Sequence, residues 1–171
     1  MVFIPYLLNT KVFREDIFKG RRVIELGCGT GCVGLALAII GADVVLTDRA
    51  PLEGLVTTNI TTNKLESKAK FKALEWGEDV SSLGRFDAVI MSDIVAVTYS
   101  GAYPLLLKTL KDLTSPQTLI LLAYERRDRK DLKFFEMLLD NGFKYQKVSE
   151  SQLDEQWQDD DIGIFRIFRC E

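Results

Sequence analysis

The stretch Arg22-Val23-Ile24-Glu25-Leu26-Gly27-Cys28-Gly29-Thr30-Gly31 decides the fold of this chain. Its first half is a short, mostly apolar run bounded by Gly20 and Gly27, which predicts a buried strand. Its second half places glycine at three alternating positions, and a run rich in Ala and Leu follows. This pattern predicts a tight turn into a closely packed helix over residues 30–40. A strand that turns sharply into a helix is typical of a parallel α/β sheet.

Strand-like and helix-like segments then alternate along the rest of the chain. The last two strand-like segments are joined by a polar, acidic stretch rather than by a helix, so we expect that pair to be antiparallel. The sequence therefore predicts an α/β fold, a Rossmann-like seven-stranded sheet with six parallel strands, one antiparallel strand and helices on both faces. Strands are expected over 22–26, 43–47, 69–74, 86–91, 117–124, 143–148 and 162–168, and further helices over 52–63, 103–113 and 131–139.

Length, charge and composition exclude several classes of protein. The chain has 171 residues and 47% hydrophobic residues, which predicts a single domain over 1–171. The net charge of -3 argues against a nucleic-acid partner, and the absence of a long uncharged apolar run argues against a membrane span. The chain has no histidine, so an imidazole base or ligand is excluded.

The three cysteines indicate reduced thiols rather than a metal site. Cys28 and Cys32 have no second pair to complete a zinc site, so we expect no metal. Reduced cysteines are typical of a reducing compartment. We therefore expect a cytoplasmic protein, with the nucleus as a further location. We also expect a monomer.

The glycine turn is suited to a ligand that lacks a pyrophosphate. A P-loop would end in Gly-Lys-Ser/Thr, and a dinucleotide fingerprint would need glycine where Cys32 stands. Glu25, at the end of the first strand, can pair with an ammonium group, and Asp48, about 20 residues further on, can accept hydrogen bonds from ribose hydroxyls. The alternative is a generic strand-to-helix turn with a helix-capping acid.

Two motifs, Glu25-to-Gly31 and Val44-to-Asp48, resemble the first two signature motifs of the seven-stranded S-adenosylmethionine-dependent methyltransferases. The resemblance extends over nearly the whole chain to the family-16 protein methyltransferases, in the branch that includes the lysine methyltransferase of valosin-containing protein. Leu74-Glu75-Trp76-Gly77-Glu78 and Tyr124-Glu125-Arg126-Arg127 indicate this branch, and segments 41–48, 59–63 and 105–113 also carry the likeness. The resemblance implies methyl transfer from S-adenosylmethionine to a protein side-chain amine, with lysine expected.

The resemblance also implies which residues contact the cofactor. Trp76 is expected to lie against the adenine, where its broad ring supplies apolar area; the alternative is a core tryptophan. The cofactor contacts expected from the resemblance are Glu25, Gly27, Cys28, Gly29, Gly31, Asp48, Arg49, Trp76, Ser92 and Ala96.

Three residues at the ends of later strands are the candidates for catalysis. Asp93 follows the fourth strand, and in related proteins this residue opens an Asp-x-x-Tyr motif beside the acceptor amine. Tyr124 and Glu125 end the fifth strand at the same edge, where the resemblance implies a wall or rim of the lysine channel. The alternatives are a helix N-cap for Asp93 and a packing role for Tyr124.

The chain departs from its relatives at two places. Ala96 stands where they carry an aromatic residue, and Tyr99 is the alternative candidate for that role. The relatives also have a tryptophan-containing segment that covers the cofactor, so we expect an N-terminal segment to be missing here.

Three functional interpretations follow from these motifs and departures. The first is a protein-lysine methyltransferase with a protein substrate, for which a chaperone or an ATPase is a candidate. The second is an N-methyltransferase acting on a small molecule, or on arginine or histidine side chains. The third is a non-catalytic, cofactor-binding interaction protein.

Overall fold

A computed structural model describes residues 2–14, 16–153 and 161–170 of the chain. Within these residues, strands and helices alternate along most of the chain. The strands are β1 Arg22–Leu26, β2 Asp43–Asp48, β3 Ala69–Ala73, β4 Ala88–Ser92, β5 Leu119–Glu125, β6 Phe143–Lys147 and β7 Ile162–Arg169. The helices are α1 Phe3–Leu7, α2 Cys32–Ile39, α3 Glu53–Thr62, α4 Tyr103–Leu113 and α5 Leu132–Asp140.

The seven strands form one sheet in the order β3-β2-β1-β4-β5-β7-β6. Strands β1 to β5 pair in parallel, whereas β7 is antiparallel to both β5 and β6. The predicted architecture of six parallel strands and one antiparallel strand is therefore confirmed. The strand order reverses between β1 and β4, and such a switch point opens a crevice at the carboxyl ends of the strands, where ligands bind in open α/β sheets.

Helices cover both faces of this sheet, as predicted. Leu37 of α2 and Val56 of α3 are buried in a core on one face, whereas Leu106 of α4 and Phe134 of α5 are buried in a core on the other. Because both faces are covered, the central strands are apolar on both sides, which explains why they read as continuous Val, Ile and Leu runs. No helix within the described part of the chain is long and apolar enough to cross a membrane.

The predicted elements agree with the observed ones to within about two residues at most ends. Helix α2 begins at Cys32 rather than at residue 30, because Gly31 has a φ of 79° and the left-handed conformation cannot continue a right-handed helix. Strand β2 extends to Asp48, which pairs with Ala73 of β3. The acidic connection between the last two strands includes residues 154–160, which lie outside the described part of the chain.

Gly34 allows helix α2 to lie directly on β1 and β2. A Cβ atom at this position would lie 2.3 Å from Leu46 Cδ2 and 2.7 Å from Glu25 Oε2. We therefore expect Gly34→Ala to lower the free energy of unfolding by about 1–3 kcal/mol, as overpacked cores do. Urea denaturation measures this change.

Gly54 provides a matched control within helix α3. A Cβ atom there would have no neighbour within 4 Å. Gly54→Ala is therefore expected to leave stability unchanged or to raise it by about 0.5–1 kcal/mol, since alanine is the better helix former. Equal effects of the two substitutions would show that α2 is not closely packed at Gly34.

Candidate functional site

A cavity of about 640 Å³ opens at the carboxyl edge of the sheet, beside the point where the strand order reverses. This volume lies in the usual range for small-molecule sites, which is about 300–1,000 Å³. Eight of the ten residues expected to contact a cofactor line it, namely Glu25, Gly27, Cys28, Gly29, Asp48, Arg49, Trp76 and Ser92. The glycine turn after β1 thus forms one wall of the cavity, as the sequence predicts.

Two glycines of the turn bring bare backbone to the cavity. Gly27 has a φ of 64°, and a Cβ atom there would lie 2.7 Å from Ile94 Cγ2. Gly29 has a φ of 55°, and a Cβ atom there would meet nothing within 4 Å, so its backbone faces open space. A turn of this kind allows a ligand to approach the main chain closely.

Asp48 fixes the glycine turn from the end of β2. Its Oδ2 atom accepts a hydrogen bond of 2.8 Å from the Gly29 N–H, and its Oδ1 atom accepts one of 2.8 Å from the Arg49 N–H. A carboxylate offers about four acceptor sites, so each oxygen can still accept a bond from a ligand hydroxyl. Asp48 therefore both positions the turn and presents free acceptor sites to the cavity.

Glu25 is the most deeply buried acid of the site, with only 1% of its surface exposed. Its Oε2 atom accepts a hydrogen bond of 2.8 Å from the Gly34 N–H at the start of α2. Burial raises the pKa of the Glu25 carboxyl to about 8, against the opposing effect of the Gly34 bond, and the negative charge of Asp48 raises it further. Without a cation beside it, this carboxyl is therefore mostly protonated at neutral pH.

The raised pKa of Glu25 predicts a pH dependence of stability. Between about pH 5 and pH 8 the folded chain holds a proton that the unfolded chain has released, so this contribution to stability is lost as pH rises through that window. From the ordinary pKa of 4.5 to the raised pKa of about 8, the loss is on the order of 4–5 kcal/mol, at about 1.4 kcal/mol per pKa unit. Glu25→Gln has no titrating group at this position, so the pH-dependent loss of stability is absent. Urea denaturation across this range is therefore expected to show that the stability of the variant relative to wild type increases as pH rises. A difference in unfolding free energy between Glu25→Gln and wild type that stays constant with pH would contradict a buried, protonated Glu25. Glu66 is exposed, and Glu66→Gln is the control.

The two cysteines of the turn are free thiols that line the same cavity. Burial raises the pKa of the Cys28 thiol to about 12, with further contributions from Glu25 and Asp48. Cys28 therefore stays a neutral, weakly reactive thiol. Within residues 2–14, 16–153 and 161–170, no group of three or more Cys, Asp or Glu side chains is placed to hold a metal ion.

Trp76 follows β3 and lines the cavity beside the glycine turn. Its Cζ2 atom lies 3.5 Å from the position that a Cβ atom on Gly27 would take. The ring is partly buried and packs against the core on the α4 and α5 face. Trp76 thus belongs to the core on one side and offers an aromatic wall to the cavity on the other.

Asp93 lies at the cavity directly after β4, but its carboxylate is already engaged. Arg127 donates bonds of 2.7 Å to both Asp93 oxygens and a bond of 2.6 Å to Glu125 Oε2. The helix N-cap interpretation of Asp93 is wrong, because the next helical turn, Val97–Ala102, begins after Ala96 and the carboxylate bonds to a side chain instead. Asp93 also has a φ of 57°, which asparagine and aspartate tolerate better than most residues.

Tyr124 is buried and does not line the large cavity. The ring packs against Phe135, with centroids 5.5 Å apart, and the hydroxyl donates a bond of 3.1 Å to Asp131 Oδ2. It borders a separate cavity of about 200 Å³ rather than the large one. Successive side chains of a strand point to opposite faces, so Tyr124 enters the core while Glu125 reaches the Asp93 side. The packing alternative for Tyr124 agrees with this position.

Two of the expected cofactor residues also lie away from the cavity lining. A Cβ atom on Gly31 would meet Leu46 Cδ1 at 3.2 Å, so this glycine faces the core and ends the turn. The Ala96 carbonyl accepts a bond of 2.8 Å from the Tyr103 hydroxyl. Tyr99, in contrast, lines the cavity and is half exposed, so an aromatic side chain is present near Asp93.

Arg127 is the site residue that inspection of the sequence misses. It lies in the mixed-charge stretch 126–130, which reads as ordinary solvated surface. The available signal is its spacing: two residues after Glu125, it can extend along the same side of the chain as that carboxylate. The contact with Asp93 spans 34 positions in sequence and follows only from the parallel pairing of β4 and β5.

Comparison with known proteins agrees with this geometry. Residues 1–141 match a family model described as lysine methyltransferase. The chain is 39% identical over 142 residues to the protein N-lysine methyltransferase METTL21A of Danio rerio, covering 80% of this chain and 64% of that protein. It is 34% identical over 157 residues to EEF1A lysine methyltransferase 3 of Xenopus tropicalis, covering 90% of this chain and 66% of that protein. The chain thus spans a little under two thirds of these curated relatives.

Solved structures share the fold at low sequence identity. One of them is the magnesium protoporphyrin IX methyltransferase ChlM from Synechocystis PCC 6803 with bound SAM. It matches with a TM-score of 0.68 and 17% identity, covering 95% of this chain and 76% of that one.

Proposed function

The chain belongs to the lysine methyltransferase family, and we propose that it transfers a methyl group from S-adenosylmethionine to a lysine side chain of a protein. The observation that carries this proposal is the cavity at the switch point of the sheet. The glycine turn and Asp48 form its inner part, and Asp93 stands at its edge. Its volume suits a nucleoside-sized ligand, and its edge presents a carboxylate to an incoming amine.

The side chains of the cavity fit the parts of S-adenosylmethionine. Glu25 is a buried carboxyl with a raised pKa, and the cofactor's ammonium group would stabilise its ionised form. The remaining acceptor sites of Asp48 suit the ribose hydroxyls, and the ring of Trp76 suits the adenine. The open space beside the Gly29 backbone suits the amino-acid portion.

The chain's own residues then have to hold the amine and keep it neutral. When bound, S-adenosylmethionine supplies a methyl group made electrophilic by its positively charged sulfur. A lysine titrates near 10.4 in water and needs its lone pair to attack. An aromatic side chain such as Tyr99, which lines the cavity with Asp93, favours the neutral amine by removing water. Asp93 orients that amine by a hydrogen bond, and alignment of the reacting atoms supplies much of the rate.

The substrate that we propose is a protein with one or a few target lysines. The relative from Xenopus tropicalis is named for EEF1A, which makes that protein one candidate. A chaperone or an ATPase is the second. We further propose that the chain forms one domain, acts as a monomer and works in the cytoplasm, with the nucleus as a further location. These choices rest on the family, the charge and the free cysteines.

Transfer of tritium from labelled S-adenosylmethionine to a cell lysate tests the function, with the products separated on a gel. We expect one or a few labelled protein bands that disappear when excess S-adenosylhomocysteine is added. Label that enters only small molecules would favour a small-molecule methyltransferase. Binding of S-adenosylhomocysteine by calorimetry without transfer to any lysate component would favour a non-catalytic protein.

A further inference from the structure

Three charged side chains meet at the edge of the cavity. Arg127 Nη1 and Nη2 each donate a bond of 2.7 Å to Asp93, and Nη2 also donates a bond of 2.6 Å to Glu125 Oε2. One guanidinium nitrogen therefore serves both carboxylates. The side chains are 43% exposed for Arg127, 50% for Asp93 and 46% for Glu125, so solvent and an arriving substrate can reach the cluster.

Arg127 is the cation that makes this arrangement favourable. Two carboxylates this close repel each other unless a positive charge lies between them. The hydrogen bond with Asp93 raises the pKa of Arg127, as do the charges of Asp93 and Glu125, so the guanidinium stays charged throughout any workable assay range. The cluster of two carboxylates and one guanidinium thus carries a single net negative charge.

The charged residues on either side of Arg127 in the sequence have partners outside the cluster. Arg126 forms an ion pair with Asp161, and Asp128 accepts a hydrogen bond from the Lys130 backbone N–H. The other charged residues lining the cavity, from the remaining strand ends, are Glu25, Asp48, Arg49 and Glu75.

An acid pair without Arg127 would be a poor place for the reaction. It would attract the substrate lysine and hold it as an ammonium ion, because opposite charges nearby favour the charged form. An ammonium ion has no lone pair and cannot accept a methyl group. A permanent cation between the two acids weakens that effect without removing the hydrogen-bond acceptors, since a carboxylate that accepts two bonds from arginine keeps further acceptor sites.

We propose that Arg127 is a positioning residue that sets the charge of the acceptor site, so that the substrate lysine is held beside Asp93 as a neutral amine. The lysine ammonium loses its proton to solvent water before transfer. The nitrogen lone pair then forms the new N–C bond as the C–S bond breaks, and the electrons of that bond remain on sulfur. This inference rests on the proposed function and adds to it a residue that controls the protonation of the substrate.

The substrate for the test is the lysate protein that takes up label in the tritium experiment, after purification. The test measures how the single-turnover rate of methyl transfer to this protein depends on pH. In wild type the rate rises with pH as the bound lysine loses its proton. For Arg127→Gln the added negative charge is expected to move the midpoint up by about one pH unit, after allowance for solvent screening. That shift gives a roughly tenfold lower rate near neutral pH, a lower KM for the protein substrate, and near-wild-type rates at alkaline pH.

Three variants make the result specific to charge. Arg127→Lys keeps the cation and is expected to keep the midpoint. Glu125→Gln removes one negative charge and should move the midpoint down. The double variant Glu125→Gln with Arg127→Gln restores a single net negative charge and should return the midpoint close to that of wild type. Arg126→Gln is the matched surface control, since this residue pairs with Asp161 instead.

The outcomes separate this inference from the proposed function. A rate that falls equally at every pH in Arg127→Gln would overturn the charge role and leave lysine methylation standing. A pH midpoint in the double variant equal to that of Arg127→Gln alone would also overturn the charge role and leave lysine methylation standing. If wild type labels no protein at any pH, the proposed function fails and this inference fails with it.

Discussion

Replacing Asp93 with asparagine is expected to lower the turnover of methyl transfer by about 100-fold or more, the range seen for positioned acid–base and electrostatic groups. Affinity for S-adenosylhomocysteine should stay within about twofold, because Asp93 lies at the edge of the cavity and not on the glycine turn. The carboxylate is fixed by two bonds of 2.7 Å from Arg127. An asparagine retains one oxygen acceptor, but it loses the charge that stabilises the cation formed on the amine.

The comparison with an exposed acid makes this result specific. Asp112 pairs with Lys108 on the surface of α4, and Asp112→Asn is expected to leave turnover unchanged. Normal turnover in Asp93→Asn would remove Asp93 from the reaction and make Glu125, the other acid held by Arg127, the better candidate. Tyr124 is a weaker candidate than Glu125, because its side chain is buried and its hydroxyl donates a hydrogen bond to Asp131 Oδ2.

Replacing Asp48 with alanine is expected to weaken binding of S-adenosylhomocysteine by about 1.5–3 kcal/mol, the range for hydrogen bonds to a charged group. Roughly 10- to 150-fold of affinity would be lost. Two contributions add here, because Asp48 offers acceptors to the ribose and also holds the Gly29 N–H at 2.8 Å. Isothermal titration calorimetry measures the affinity.

Asp48→Asn separates these two contributions. Its remaining oxygen can still accept from Gly29, so the turn is kept while the charge and one acceptor are lost, and an intermediate loss of affinity is expected. Asp43 begins the same strand and pairs with Lys68, so Asp43→Asn is the matched control with unchanged affinity. Wild-type affinity in Asp48→Ala would rule out this acid as part of the cofactor site.

The fold follows from the sequence because its signals are local. The alternating glycines after Leu26 allow the positive φ angles of a sharp turn. The apolar runs of β1, β4 and β5 are long enough for strands but too short for helices. The polar connection before the last strand excludes a parallel crossover there. The same local logic places Glu25, Gly27, Gly29 and Asp48 at the carboxyl edge, where the cavity lies.

The sequence predicts the substrate side of the site less well. This side depends on how each strand is oriented in the sheet and on contacts between residues that are distant in sequence. Tyr124 and Glu125 are neighbours at the end of one strand, and which of the two faces the site depends on the strand's orientation in the sheet. Gly31 looks equivalent to Gly27 in sequence, yet it faces Leu46. The bond from Arg127 to Asp93 joins two loops that are distant in sequence, and no local pattern encodes such a pair.

The most direct measurement of the central claim is mass spectrometry of a lysate incubated with the protein and S-adenosylmethionine that carries a deuterated methyl group. The account predicts heavy methyl groups on lysine side chains of one or a few proteins, and their loss when Asp93→Asn replaces the wild type. Heavy methyl groups found only on small molecules or on other side chains would contradict it. So would the absence of any heavy methyl group while S-adenosylhomocysteine still binds.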